Sequence, residues 1–240
     1  MKLVRILQSQ GFGSRKGSVA RVRAGAVAVN GAVCEDPEAE FELAGLELTL
    51  DGVTWPYREK AYVLMNKPAG RECSHNPKHH PSIFALLPSP LIERGVQCVG
   101  RLDQDTTGLL LLTDDGQFIH RMTSPKKGVA KIYRATCADP VSEAMLDALR
   151  AGVQLNDEPA PIAALACEAI DDHTLRLTLA EGKYHQVKRM IAATGNRVEQ
   201  LHREAIGGFA LPATLAPGAW CWLDDTDLQL LEQPWPSVMS

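Results

Sequence analysis

Residues 100–116 read GRLDQDTTGLLLLTDDG, and this stretch decides the fold. Leu109 to Leu112 form an unbroken apolar run, bounded by Gly108 and by Asp114-Asp115-Gly116. The run is too short for an independent helix, and its lack of polar alternation predicts a strand buried on both faces. Immediately upstream, Arg101, Asp103 and Asp105 crowd three charges into five residues, beside Thr106 and Thr107. A loop that carries charge into a buried strand must hold it at a cleft, because an unpaired buried carboxylate is very costly. An Asp that merely satisfies a turn is the ordinary alternative. The segment as a whole favours the cleft, with Asp103 at its centre.

The bulk properties narrow the class. A chain of 240 residues can hold one large domain, or a small domain joined to a medium one. With 45% hydrophobic and 22% charged residues, the composition is that of an ordinary soluble globular protein. The opening MKLVRILQSQGFGSRKG lacks the apolar core and small-residue cleavage site of a secretion signal. No stretch approaches the ~18 apolar residues needed to cross a bilayer, so no membrane is expected and the expected location is the cytoplasm. The six cysteines are scattered with no CxxC pair, which fits reduced thiols better than disulfides or zinc. Net charge is −4, yet basic residues gather at 15–23, 126–134, 183–189 and 202–203. Such an asymmetry permits a basic face on an acidic protein.

Read in order, Leu3, Ile6 and Leu7 recur at helical spacing, and GFG at 11–13 breaks that helix. Ser14 is placed to cap a second helix running to about Ala24, with Gly25 as its stop. AVAVNGAV at 26–33 predicts two strands around an Asn-Gly turn, and 46–50 a further strand. Arg15, Lys16, Arg21 and Arg23 lie on or near the second helix, with no acid between 14 and 34, which favours phosphate contact over a merely solvated face. Residues 51–60, with Pro56, read as a linker closing a first domain over 1–57. A second domain is expected over 61–233 and a tail over 234–240. It opens with a strand at 62–65 and a turn at Asn66-Lys67-Pro68. Three histidines (His75, His79, His80) fall in 71–82, but no convincing cysteine partner sits at ligand spacing; a flexible loop that touches a phosphate backbone is the better reading. Further on come a short helix at 117–125, a strand from Val129, an amphipathic helix at 141–153, a strand at 174–182 and a helix within 183–198. Strands outnumber helices after residue 60 with few alternating βα units. The expected class is therefore α+β, with a mostly antiparallel, mixed sheet flanked by helices.

GRLD followed by TTGLLLLTDDG resembles the catalytic motif of the pseudouridine synthases, in the RsuA branch that modifies ribosomal RNA. The likeness extends through NKPAG at 66–70, KIY at 131–133, GKYHQVKRM at 182–190 and LHREAIGG at 201–208, and covers about residues 2–231. SRKGSVARVRAGAVAVNG at 14–31 resembles the recognition segment of the S4 RNA-binding fold. By this resemblance Asp103 is the catalytic aspartate, Tyr133 lies against the target uracil, and Lys188 pairs with Asp103. Other branches carry arginine at that last position, so the pairing loses a bidentate fork. RNA contact is implied for Arg101, Lys67, Lys131, His185, Gln186, Arg189, His202 and Arg203, besides the four cations of the first domain. The implied substrate is a uridine of small-subunit ribosomal RNA, position 516, met in a pre-ribosomal particle by a monomer.

That reaction makes three physical demands. The base must leave its stack to be reached. A carboxylate must be ionised beside the ribose, which a neighbouring cation favours. Water must be kept out, or an abasic site results. With no net redox change and no group donor, neither a metal nor an organic cofactor is called for. Two rivals stand beside this reading: a non-catalytic assembly factor that only binds, and an RNA glycosylase using Asp105 to activate water.

Overall fold

A computed structural model describes residues 1–235 and divides into two compact units, Met1–Ala61 with Leu87–Gln97, and Tyr62–Leu86 with Cys98 onward. In the first unit, α1 (Leu3–Ser9) and α2 (Arg15–Arg23) precede β1 (Val27–Val29), β2 (Ala32–Val33), β3 (Glu47–Leu50) and β4 (Val53–Pro56). The strands form an antiparallel sheet in the order β2-β1-β3-β4. Ser14 Oγ accepts from the Gly17 N–H at 3.3 Å and caps α2. Asn30 and Gly31 both take positive φ (50° and 82°), the backbone a tight Asn-Gly hairpin requires. Leu3, Ile6, Leu7 and Val22 of the helices pack on Val27, Val29, Leu46, Leu48 and Leu50.

Two features of this unit correct the expected boundaries. The segment expected as a linker, 51–60, supplies β4, an edge strand that tolerates Pro56 at its last position. Residues 87–97, expected in the second domain, belong here with α3 (Ser89–Glu93). Arg94 explains the attachment: its guanidinium donates to Gln10 Oε1 and Arg58 O, both at 2.9 Å, and to Glu59 O at 3.1 Å.

The second unit contains β5 (Tyr62–Lys67), β7 (Thr107–Thr113), α4 (Gly116–Thr123), β8 (Lys131–Cys137), α5 (Glu143–Ala151), β9 (Ala166–Ala169) and β10 (Thr174–Leu179). It continues with α6 (Gln186–Ala193), β11 (Val198–Ile206), β12 (Phe209–Ala210), β13 (Trp220–Trp222) and α7 (Asp225–Leu231); β6 (Gln97–Cys98) falls at the sequence boundary of the units. The sheet runs β13-β5-β7-β11-β8-β10-β9. Its β7–β11 pairing is parallel and its other neighbours along that order are antiparallel, so the sheet is mixed as expected. Leu109 and Leu111 face a core shared with Phe118 and Met122 of α4 and Leu231 of α7, while Leu110 and Leu112 are buried on the opposite face. The apolar run at 109–112 is thus the two-faced strand that its composition predicts.

The central β11 was not legible as a strand in the sequence, because in VEQLHREAI the inward position between Leu201 and Ala205 is held by Arg203 and the apolar alternation is broken. The strand at 62–65 runs on through Asn66 and Lys67, where a turn was expected. Trp235 packs against Ala130, Ile132 and Ala205. The remainder of the expected tail, 236–240, lies outside the described residues.

Candidate active site

Asp103 stands in the loop that feeds β7, and that loop is held from beneath. Lys67, fully buried at the end of β5, donates from Nζ to Pro68 O (3.0 Å), Gln104 O (3.1 Å) and Thr106 O (2.9 Å). Gly70 N–H adds a bond to Gln104 O at 2.8 Å, and Thr106 N–H closes a turn onto Asp103 O at 3.2 Å. Burial pushes the Lys67 ammonium below its ordinary value, and nearby acidic groups oppose that shift. Lys67 was expected to contact RNA; buried and fully occupied by backbone carbonyls, it positions the Asp103 loop instead.

Close approach of β7 and β11 sets the rest of the geometry. Gly108 pairs with Arg203 across the parallel strands at φ +101°, and a Cβ there would lie 2.3 Å from Arg203 O. Only glycine fits. On β11, Leu201 lies on the side of Asp103, opposite the face that carries His202. Arg203 is buried, donates from Nε to Leu109 O at 2.8 Å, and sets its guanidinium 6.0 Å from the Tyr133 ring centre. It supports Tyr133 rather than reaching RNA backbone, which corrects the expectation. His202 alternates to the opposite face, bonded to Thr107 Oγ1 at 2.8 Å, near the Glu204 carboxylate that bridges Arg134 and Arg176.

Above the loop, α6 and the turn before it bring in the cations. Lys188 Nζ meets both oxygens of Asp105 (2.7 and 2.9 Å) and Asp103 Oδ2 (3.3 Å). The expected pairing of Lys188 with Asp103 is present, but the shorter contacts go to Asp105, which the sequence suggested only as the water-activating residue of a rival glycosylase. Burial raises the Asp105 carboxyl, yet the Lys188 hydrogen bond and charge outweigh it and leave it below the ordinary value. Burial likewise lowers Lys188, but Asp105 and Asp103 prevail and leave it above its ordinary value. His185, in the left-handed backbone region at φ 47°, places Nε2 3.3 Å from Asp103 Oδ1. Asp103 keeps 28% of its side chain exposed, so a substrate can reach it between these two partners.

A hollow of about 60 Å³ lies beside Asp103, lined among others by Arg101, Thr106, Tyr133, Leu201 and His185. The Thr106 hydroxyl is buried there with no hydrogen-bond partner among the described residues. Of the other expected RNA contacts, Arg101 is exposed at the mouth. Gln186 is buried; its Oε1 accepts from Lys183 N–H at 2.8 Å, and so it orders the 181–186 turn rather than presenting itself to RNA. Arg189 donates to the Tyr184 and Asn156 carbonyls. Lys131 donates to Val129 O at 3.0 Å, and burial with the adjacent Arg203 charge lowers it to about 8. Arg15, Lys16, Arg21 and Arg23 are all exposed on the first unit. Arg15 and Lys16 occupy the first turn of α2, the end at which the helix dipole disfavours cations. The 71–82 loop is ordered by Glu72, whose carboxylate accepts from the Lys78, His79 and His80 N–H groups at 2.8–3.0 Å.

A family model described as RNA pseudouridylate synthase matches residues 61–193. The ribosomal small subunit pseudouridine synthase A of Haemophilus influenzae is 39% identical over 220 residues, covering 91% of this chain and 94% of its own. Its namesake in Escherichia coli strain K12 is 44% identical over 167 residues, covering 70% and 72%. Among solved structures, a pseudouridylate synthase superimposes with a TM-score of 0.68 at 36% identity, covering 96% of this chain and 99% of that one.

Proposed function

The chain belongs to the RNA pseudouridylate synthase family, and from that premise we propose that it isomerises one uridine of small-subunit ribosomal RNA, position 516, through Asp103. The observation that carries the role is the setting of Asp103: a partly exposed carboxylate between Lys188 and His185, beside a hollow lined in part by Tyr133. In the reaction the C1′–N1 bond breaks and C1′ bonds to C5; the C5 proton is lost and N1 gains one. Asp103 meets the ribose of the flipped nucleotide, either bonding to it or stabilising the positive charge that develops there. Lys188 keeps the local charge balanced while this happens. Tyr133, backed by Arg203, offers a face for the uracil as it turns and shields the bond from water. Asp105 has both oxygens on Lys188, which disfavours it as the water-activating base a glycosylase would need.

The first unit acts in this reading as an S4-like anchor, holding phosphates through Arg15, Lys16, Arg21 and Arg23 without choosing a sequence. The enzyme works as a monomer in the cytoplasm, on RNA in a pre-ribosomal particle. Replacing Asp103 with Asn tests the assignment. Tritium release from a 5-tritiated small-subunit transcript should fall to background while RNA binding stays within a few-fold of the parent; retained turnover would overturn it.

A further inference from the structure

Beside the hollow at Asp103 opens a larger groove of about 470 Å³, sharing Arg101, Asp103 and His185 with it and walled on the far side by Ser74 and Tyr184. Tyr184 is the most exposed large hydrophobic side chain among the described residues, at 72%. Its ring stacks on that of His185, centre to centre 3.9 Å and only 17° from parallel. Successive residues on an extended chain point to opposite sides. Here the left-handed backbone at His185 (φ 47°, ψ 33°) turns the two rings to one side, and Arg189 ties down the Tyr184 carbonyl. A non-glycine residue in that conformation is strained and persists where surrounding structure imposes it. The result is a two-ring stack whose inner member touches Asp103 and whose outer face is open to the groove.

We propose that this outer face seats a second unpaired nucleobase, that of a nucleotide adjoining the target uridine in the RNA chain. The inference rests on the reading of the site as a pseudouridine synthase and names a further part of its substrate. The small hollow takes one edge of the target base; the groove takes its neighbour. Every base has a π-face, so the seat tolerates sequence and selects for an unstacked strand. The stack begins 3.3 Å from Asp103 and is two rings deep, so a base on it lies next to the reacting centre and not in it. Filling it presses His185 toward Asp103 and fixes the orientation of the carboxylate.

The test uses the full chain and a small-subunit RNA fragment with the neighbouring base removed on either the 5′ or the 3′ side. One of the two abasic substrates should lose kcat/KM about 10-fold, within the range expected for a base–aromatic stack. Tyr184→Ala should lose a similar factor on intact RNA and show no added loss on that abasic substrate, while Tyr184→Trp keeps most of the activity. Independent, multiplicative losses, or a Tyr184→Ala enzyme as active as the parent, would overturn the proposal. Binding is read separately, by quenching of 2-aminopurine placed at each neighbour. Quenching by the parent chain but not by Tyr184→Ala supports the stack even if no tritium is released from any RNA, an outcome that would remove the synthase reading alone. No quenching at either neighbour overturns the stack itself.

Discussion

Replacement of Lys67 by Met separates the role the structure gives this lysine from the RNA contact its sequence motif implies. Methionine keeps much of the side-chain volume and removes the three bonds to Pro68 O, Gln104 O and Thr106 O. Gln104 O retains the Gly70 N–H, so about two carbonyls lose this donor. A buried acceptor stripped of its partner costs about 1–3 kcal/mol. Relief from burying an ammonium offsets part of that sum, which leaves a net destabilisation of about 2–4 kcal/mol. For a domain of this size the melting temperature of the second unit should fall by roughly 4–16 °C. Two of the three carbonyls belong to Gln104 and Thr106, on either side of Asp105 and next to Asp103 in the loop, so the carboxylate loses its fixed position. A misplacement near 1 Å costs roughly 100-fold in rate. The expected outcome is a kcat about 100-fold down with KM nearly unchanged, measured by tritium release below the melting transition. A parental kcat and melting temperature with a raised KM would refute the reasoning and restore Lys67 as an RNA contact.

Two further outcomes are expected. Gly108→Ala should destabilise the second unit by at least about 3 kcal/mol, since its Cβ would meet the Arg203 backbone at 2.3 Å and its φ is positive; Gly116→Ala, with open space around it, should be neutral in the same thermal melts. Glu72 is held at about 2 by three backbone N–H groups, against an ordinary 4.5. Its depressed value means that the loop ordering it provides is fully present above about pH 4.5 and lost as pH falls toward 2, so Glu72→Gln should raise amide exchange in 76–80 at pH 7 and remove most of the acid dependence seen in the parent over that window.

Local signals carried most of what the sequence revealed. The run at 109–112, the Ser14 cap and the Asn30-Gly31 hairpin are each written in a few adjacent residues, and each forms where expected. Asp103 was legible because charge in front of a buried strand has few places to go. What escaped was charge that turns inward. Lys67 and Arg203 look like surface cations in sequence, and only the sheet shows that their partners are main-chain carbonyls far along the chain. β11 escaped for the same reason: Arg203 in mid-strand, with His202 and Glu204 on the other face, masks a central strand as an irregular polar segment. His185 gave no signal beyond its motif, because its contact with Asp103 depends on a left-handed backbone that a histidine seldom adopts. Residues 51–60 were read as a linker because Pro56 reads as a break, although an edge strand can end on it; the expected start of the second domain at 61 lies beside the observed division after Ala61.

The bond between Lys188 and Asp105 joins residues 83 positions apart, and the strand alongside β7 comes later still. A ribosome releases the acidic loop long before it releases the cation that balances it. During that interval the newborn chain displays its two carboxylates without α6, without the Tyr184–His185 wall and with β7 still lacking β11. The charge pairing and the β7–β11 contact therefore form late and close together, once residues up to about 206 have emerged. In this order of synthesis the two carboxylates wait for their cationic partner until most of the polypeptide has been made.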